Sequence, residues 1–170
     1  MSEIADETSL KNLLNPLSLF HKYGIDVQTA MQDDVNGIGW CMADYLPDAG
    51  VKYLIMGEHG HRALIPFDKP TSFWWQSPSG KKMLAFRGEH YMHGNALLIH
   101  TGDLDNFKSN LLNYLTMLEE NEYPFDHLAL QYSGYVTDNS PPALAANKVI
   151  KEWNEQYLWP RLRSATASEF

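Results

Sequence analysis

The strongest constraint on this chain is an alternation of short, mostly apolar runs with longer stretches of helical spacing. Ile25 to Met31, Val51 to Met56 and His127 to Tyr132 read as strands. Between them, Leu10, Leu13, Leu14, Leu17 and Phe20 recur at helical intervals, with Asp6 to Ser9 as the start signal and Tyr23-Gly24 as the stop. Pro16 is expected to bend or divide that helix. Further helices are predicted over Ile38 to Asp48, Asp103 to Glu120 and Ala143 to Tyr157, and Leu162 to Ala167 reads as the start of another strand. Val51 to Met56 is apolar on both faces of its pattern apart from Lys52, the composition of a parallel strand covered on both sides. Strands joined through helices form right-handed βαβ units, so the predicted fold class is α/β with a mostly parallel sheet. One insertion breaks the pattern. Ser77-Pro78-Ser79-Gly80 separates Phe73 to Gln76 from Lys82 to Arg87, which predicts a short β-hairpin.

With 170 residues, 44% of them hydrophobic, the chain can bury one ordinary core, so residues 1–170 are expected to form a single unit. It opens on a helix and closes inside an expected strand, which makes it read as part of a larger sheet. A formal charge of −8 argues against nucleic acid, whose binding depends on Lys and Arg neutralising phosphates. The one cysteine, Cys41, leaves no internal disulfide and no thiolate-rich metal site. The start of the chain lacks the basic and apolar regions of a secretory signal, and no apolar run reaches the roughly 18 to 20 residues that span a bilayer. Compartment is not readable from these residues.

In parallel α/β folds the working residues lie beyond the carboxyl ends of the strands. The loops at 32–37, 57–70, 88–101 and 133–142 are therefore the candidate region, and titratable residues gather in them or, for Arg87, directly beside them: Asp33, Asp34, Glu58, His59, His61, Glu89, His90, Tyr91, His93 and Asp138. Asp33 and Asp34 are adjacent, so an extended backbone sends them to opposite faces. Two readings of the pair stand. It is either a turn capping the helix from Ile38, or a carboxylate at a pocket rim, where Gly37 allows close backbone approach. Asp138 has the same alternatives, cap or rim carboxylate. His59-Gly60-His61 and His90-Tyr91-Met92-His93 are either polar loop surface or functional groups, and neither has the His-Glu-x-x-His form of a zinc site. Trp74 and Trp75 alternate in their strand, so at most one offers a flat ring to a sugar and the other joins the core, and a purely structural role for both is the alternative.

Gln32-Asp33-Asp34-Val35-Asn36-Gly37, Trp40, and Leu46-Pro47-Asp48-Ala49-Gly50-Val51-Lys52-Tyr53-Leu54 together resemble the nucleophile region of the glycoside hydrolase family 38 α-mannosidases. Phe73-Trp74-Trp75-Gln76 through Gly80 to Tyr91 is similar to a second segment of that family. The resemblance covers about residues 25 to 95 and is looser from 127 to 170. It implies a seven-stranded α/β barrel, a retaining mechanism on carbohydrate and a zinc ion that binds substrate hydroxyls. Asp34 matches the position that is both nucleophile and zinc ligand, Tyr91 a substrate-contacting tyrosine, and Asp138 the general acid/base. His59 matches a loop histidine, although the arginine that precedes it in the family is here Gly57. Tyr91 and His59, with His90, Trp74 and Trp75, make up the expected substrate-binding set, and Asp34 and Asp138 the catalytic pair. The family's His-x-Asp zinc pair occurs nowhere in the sequence, which leaves Asp34 as the matched ligand. The expectation is a fragment of a longer zinc glycosidase, inactive alone, whose exposed sheet edges favour self-association. Two other readings compete. "QDDVNG" also resembles the Asp-Asp motif of polysaccharide deacetylases, and a non-catalytic carbohydrate-binding or structural module fits the same composition.

Overall fold

The computed structural model describes residues 6–35, 37–59, 69–135 and 138–170. In chain order the elements are α1 (Glu7–Lys22), β1 (Thr29–Asp33), α2 (Met42–Asp48), β2 (Tyr53–Glu58), β3 (Thr71–Gln76), β4 (Lys82–His90), a short turn α3 (His93–Ala96), a 3-10 turn (Ile99–Thr101), α4 (Leu104–Glu120) and α5 (Ala145–Gln156). The fold is mixed α/β, with one mostly parallel sheet in the order β1-β2-β4-β3. β1, β2 and β4 run parallel, and β3 returns antiparallel to β4 as the hairpin expected from its turn residues.

Side-chain alternation buries one face of this sheet, and a separate core lies among the helices. Leu54, Met83 and Ala85 bury one face with Leu46 and Val51, and Leu14 and Leu17 of α1 pack onto the same cluster. A second cluster joins α4 and α5 through Phe107, Leu111, Tyr114, Val149 and Trp153. α1 is started by Asp6, whose carboxylate accepts from the Ser9 N–H at 2.8 Å. It runs through Pro16 without dividing. α4 is started in the same way by Asp103, which accepts from the Asn106 N–H at 3.0 Å.

The structure corrects several boundaries. β1 begins at Thr29 rather than Ile25, because the ladder opens where the N–H groups of Lys52 and Tyr53 both donate to the Gln28 carbonyl. α2 begins at Met42 rather than Ile38, and no side chain caps it. β4 continues past Arg87 to His90, which pairs with Glu58 beyond a bulge.

His127 to Tyr132 is not the third buried strand expected from its apolar residues. Leu128 and Leu130 pack onto the α4/α5 cluster, but their backbone joins no ladder, and the segment is tied down instead by the Gly94 N–H donating to the Gln131 carbonyl at 2.8 Å. Leu162 to Ala167 likewise forms no strand. Among the described residues the sheet therefore has four strands and stays open rather than closing into a barrel. No helix among them is long and apolar enough to cross a membrane.

Candidate functional site

The three parallel strands end side by side, and their carboxyl ends carry the polar residues. Asp33 closes β1 opposite Gly57 of β2. Asp34 follows with φ +61°, and its N–H still donates to the Gly57 carbonyl at 3.1 Å. An aspartate tolerates this left-handed conformation better than most residues. The turn separates the two carboxylates. Asp34 Oδ1 lies 3.2 Å from His59 Nε2, just beyond β2, while Asp33 Oδ1 accepts from Gln131 Nε2 at 2.8 Å. Neither aspartate caps α2, so the capping alternative for this pair does not hold.

β4 delivers the next members. The His90 ring stacks on Tyr91 at 4.4 Å and lies 5.8 Å from the His59 ring, centroid to centroid. His90 Nδ1 accepts from the Met92 N–H at 3.0 Å. The Tyr91 hydroxyl donates to Asp138 Oδ2 at 2.8 Å, across 47 residues of sequence. That hydrogen bond, reinforced by burial and by the negative charges of Asp138, Asp34 and Asp33, pushes the Tyr91 phenol up to about 12. Tyr91 is therefore a fixed donor throughout the neutral range. Asp138 does not cap α5, whose start lacks a side-chain cap. Close to it in sequence, the Tyr135 N–H donates to Ser140 Oγ at 2.9 Å and Asn139 takes φ +56°.

Gly57 sits in the middle of this arrangement. A β-carbon there would come within 2.3 Å of Gln131 Oε1, 2.7 Å of Asp33 Oδ1 and 2.8 Å of Tyr91 Cβ. Only glycine lets these three side chains meet over the strand. A cavity of about 500 Å³ is lined by Asp33, Tyr91, Gln131 and Ser133 together with the apolar Met31 and Ile55.

Behind the rim lies a buried charged layer. Arg87, 4% exposed, stands 4.0 Å from Glu58 and donates to the Gly88 and Lys69 carbonyls. Burial raises both Glu58 and Glu89 above the ordinary carboxylate range, with Arg87 opposing it. Glu89 accepts from the Tyr114 hydroxyl at 3.1 Å, and the same burial raises that phenol strongly.

The structure thus brings Asp34, His59, His90, Tyr91 and Asp138 to one rim. It does not bring Trp74 and Trp75 there. They pair with Leu84 and Met83, six and seven residues before His90 along β4, or about 20 Å at the usual ~3.3 Å per residue. Trp75 packs against the sheet core and Trp74 is 67% exposed. His61 lies outside the described residues. As metal donors, Asp34 and His59 face one another, but no group of three or more His, Cys, Asp or Glu among the described residues can hold an ion. A zinc site needs more ligands than this pair, so the described residues do not make one up. Gln131 and Asn95 belong to the site's framework and were not indicated by the sequence. Their partners are a side chain 98 residues away and backbone groups, respectively, and neither leaves a motif.

The model of the family described as glycosyl hydrolases family 38 N-terminal domain matches residues 8–170. No curated protein and no solved structure matches the chain.

Proposed function

The chain belongs to the glycosyl hydrolase family 38 N-terminal domain family, and we propose that it carries the two catalytic carboxylates of a retaining, α-mannosidase-like glycosidase acting on glycans. The observation that supports this most directly is the Tyr91–Asp138 hydrogen bond, which fixes a second carboxylate at the same strand ends as Asp34. Glycoside hydrolysis needs two such groups with different roles.

In this reading Asp34 is the nucleophile. Its carboxylate attacks the anomeric carbon as the glycosidic bond breaks, while Asp138 gives its proton to the departing oxygen. In the second step Asp138 takes a proton from water, the water oxygen bonds to the anomeric carbon, and Asp34 is released, so configuration is retained. His59 holds Asp34 by its 3.2 Å contact. Tyr91, protonated up to about 12, donates to Asp138 without competing for the catalytic proton. The stacked His90–Tyr91 pair offers a wall for the sugar ring. Trp74 and Trp75 would meet sugar only on a glycan long enough to reach the hairpin.

The reading extends to a longer parent enzyme. There the open sheet would be part of a seven-stranded barrel, and a zinc ion, with Asp34 among its ligands, would be completed by residues beyond those described. No step above passes through that metal. The 170 residues alone are then expected to lack turnover. The test is Asp34→Asn in the parent, assayed on aryl α-mannosides. A loss of about 10³-fold or more in kcat is expected. Turnover near that of the parent would overturn the assignment.

A further inference from the structure

We propose that Asn95 is a positioning residue that holds the loop carrying Asp138 in its working place, an inference that rests on the reading of Asp138 as the acid/base. Asn95 is 5% exposed, and its side-chain amide is spent entirely on that loop. Its Nδ2 donates to the Ser133 carbonyl at 3.0 Å and to the Gly134 carbonyl at 3.3 Å, while its Oδ1 accepts from the Ser133 N–H at 2.8 Å. A buried amide satisfied on both of its ends by the backbone of one distant dipeptide fixes that dipeptide in place and in orientation.

Asn95 acts together with its own turn. Tyr91, four residues earlier, holds Asp138 through its hydroxyl, and Gly94 donates its N–H to Gln131 at 2.8 Å. A β-carbon on Gly94 would lie 2.8 Å from Tyr132 Cβ and 3.0 Å from the Gln131 carbonyl oxygen, so residues 131 and 132 are seated directly on the turn. The stretch from Tyr91 to Asn95 thereby grips the loop at its entry, at Ser133–Gly134 and at Asp138. Tyr91 grips only the carboxylate, whereas Asn95 grips the backbone from which that carboxylate is reached. Losing Asn95 leaves two half-buried carbonyls and an N–H without their amide partner, and the loop base loosens as water takes its place.

The test begins with the 170-residue chain labelled at tyrosine ¹³Cζ. In the unaltered chain the Ser133 amide is expected to exchange on the order of 100-fold more slowly than an unstructured amide. Exchange at the unstructured rate overturns the proposal without any variant. In Asn95→Leu, similar in shape but unable to hydrogen-bond, the Tyr91 titration is expected to fall from about 12 toward the ordinary value of ~10. Asn95→Asp, which keeps the acceptor for Ser133, is expected to lie between. A Tyr91 midpoint unchanged in folded Asn95→Leu overturns the proposal.

In the parent enzyme, Asn95→Leu and Asp138→Asn are then compared on aryl α-mannosides with good and poor leaving groups. Only the poor leaving group needs a proton from the acid, so both variants are expected to lose on the order of 100-fold more on it. An equal loss on both substrates for Asn95→Leu alone overturns the positioning role. The absence of leaving-group dependence in Asp138→Asn overturns the acid/base reading instead.

Discussion

Gly57 decides the geometry of the rim, because Asp33, Gln131 and Tyr91 all occupy the space a side chain would need. Gly57→Ala is expected to cost about 1–3 kcal/mol of stability, the usual range for overpacking. It should also break the Asp33–Gln131 hydrogen bond. Since Gln131 Oε1 is the nearest obstacle, at 2.3 Å, Gln131→Ala should relieve part of the cost. Chemical denaturation of both single variants and the double variant is expected to show coupling of about 1 kcal/mol, and strict additivity would mean that the crowding is absent. The position also shows how legibility varies at this scale. Asp34, His59, His90 and Tyr91 could be grouped because titratable residues after parallel strands converge on one rim, whereas Asp138 follows no strand and its expected strand-end position did not come from the fold found. The replacement of an expected arginine by Gly57 read only as a departure. Its cause, three side chains meeting above the backbone, became visible only when residues 33, 91 and 131 were brought together in space.

Elements were legible where a local signal sufficed. α4 has both its periodic apolar face and Asp103 as its cap, and the β3–β4 hairpin has its Ser-Pro-Ser-Gly turn. His127 to Tyr132 was misread because a short apolar run has no periodicity of its own to separate a paired strand from an extended segment packed on helices. The difference lies in whether a neighbouring edge is free to pair, which is a property of the whole sheet. The layer between β4 and α4 carries a testable electrostatic consequence. Burial raises Glu89, so its contribution to stability is fully present below ~4.5, the ordinary value, and is lost as pH rises through the folded value. Burial lowers His93, so its contribution is present above ~6.5 and lost as pH falls through the folded value. Glu89→Gln keeps an oxygen to accept from Tyr114, removes the first dependence and also removes the part of the Glu58 rise that the Glu89 charge causes. Its stability relative to the unaltered chain should be near zero at pH 4 and increasingly favourable toward pH 7, because the His93 contribution is common to both proteins. Urea midpoints at the two pH values decide it, and a difference independent of pH would show that Glu89 does not titrate in this range.

At the scale of the whole molecule, β4 is the one strand that pairs with β3 among the described residues. β3 has the sequence Thr-Ser-Phe-Trp-Trp-Gln, with no charge, and it exposes Phe73 and Trp74. Natural edge strands are usually blunted by charge, proline or a bulge. Pro70 stands just before this strand, and the Trp40 indole N–H donates to the Gln76 carbonyl at 2.7 Å, so the ends of the edge are guarded while no described strand pairs with its middle on that side. β1, the other outer strand, is a weaker candidate because it ends in Asp33 and continues into Asp34. The 170-residue chain is accordingly expected to self-associate through β3 at high concentration. Its net charge of −8 opposes the contact, so association should strengthen with salt as that repulsion is screened. Trp74→Lys should abolish it, measured by sedimentation velocity at low and high salt. The substitution distinguishes edge pairing from simple charge effects, because an added lysine brings the net charge closer to zero and by itself would favour association. A chain that still dimerises with Lys at this position, or that dissociates as salt rises, would rule out the β3 edge as the contact.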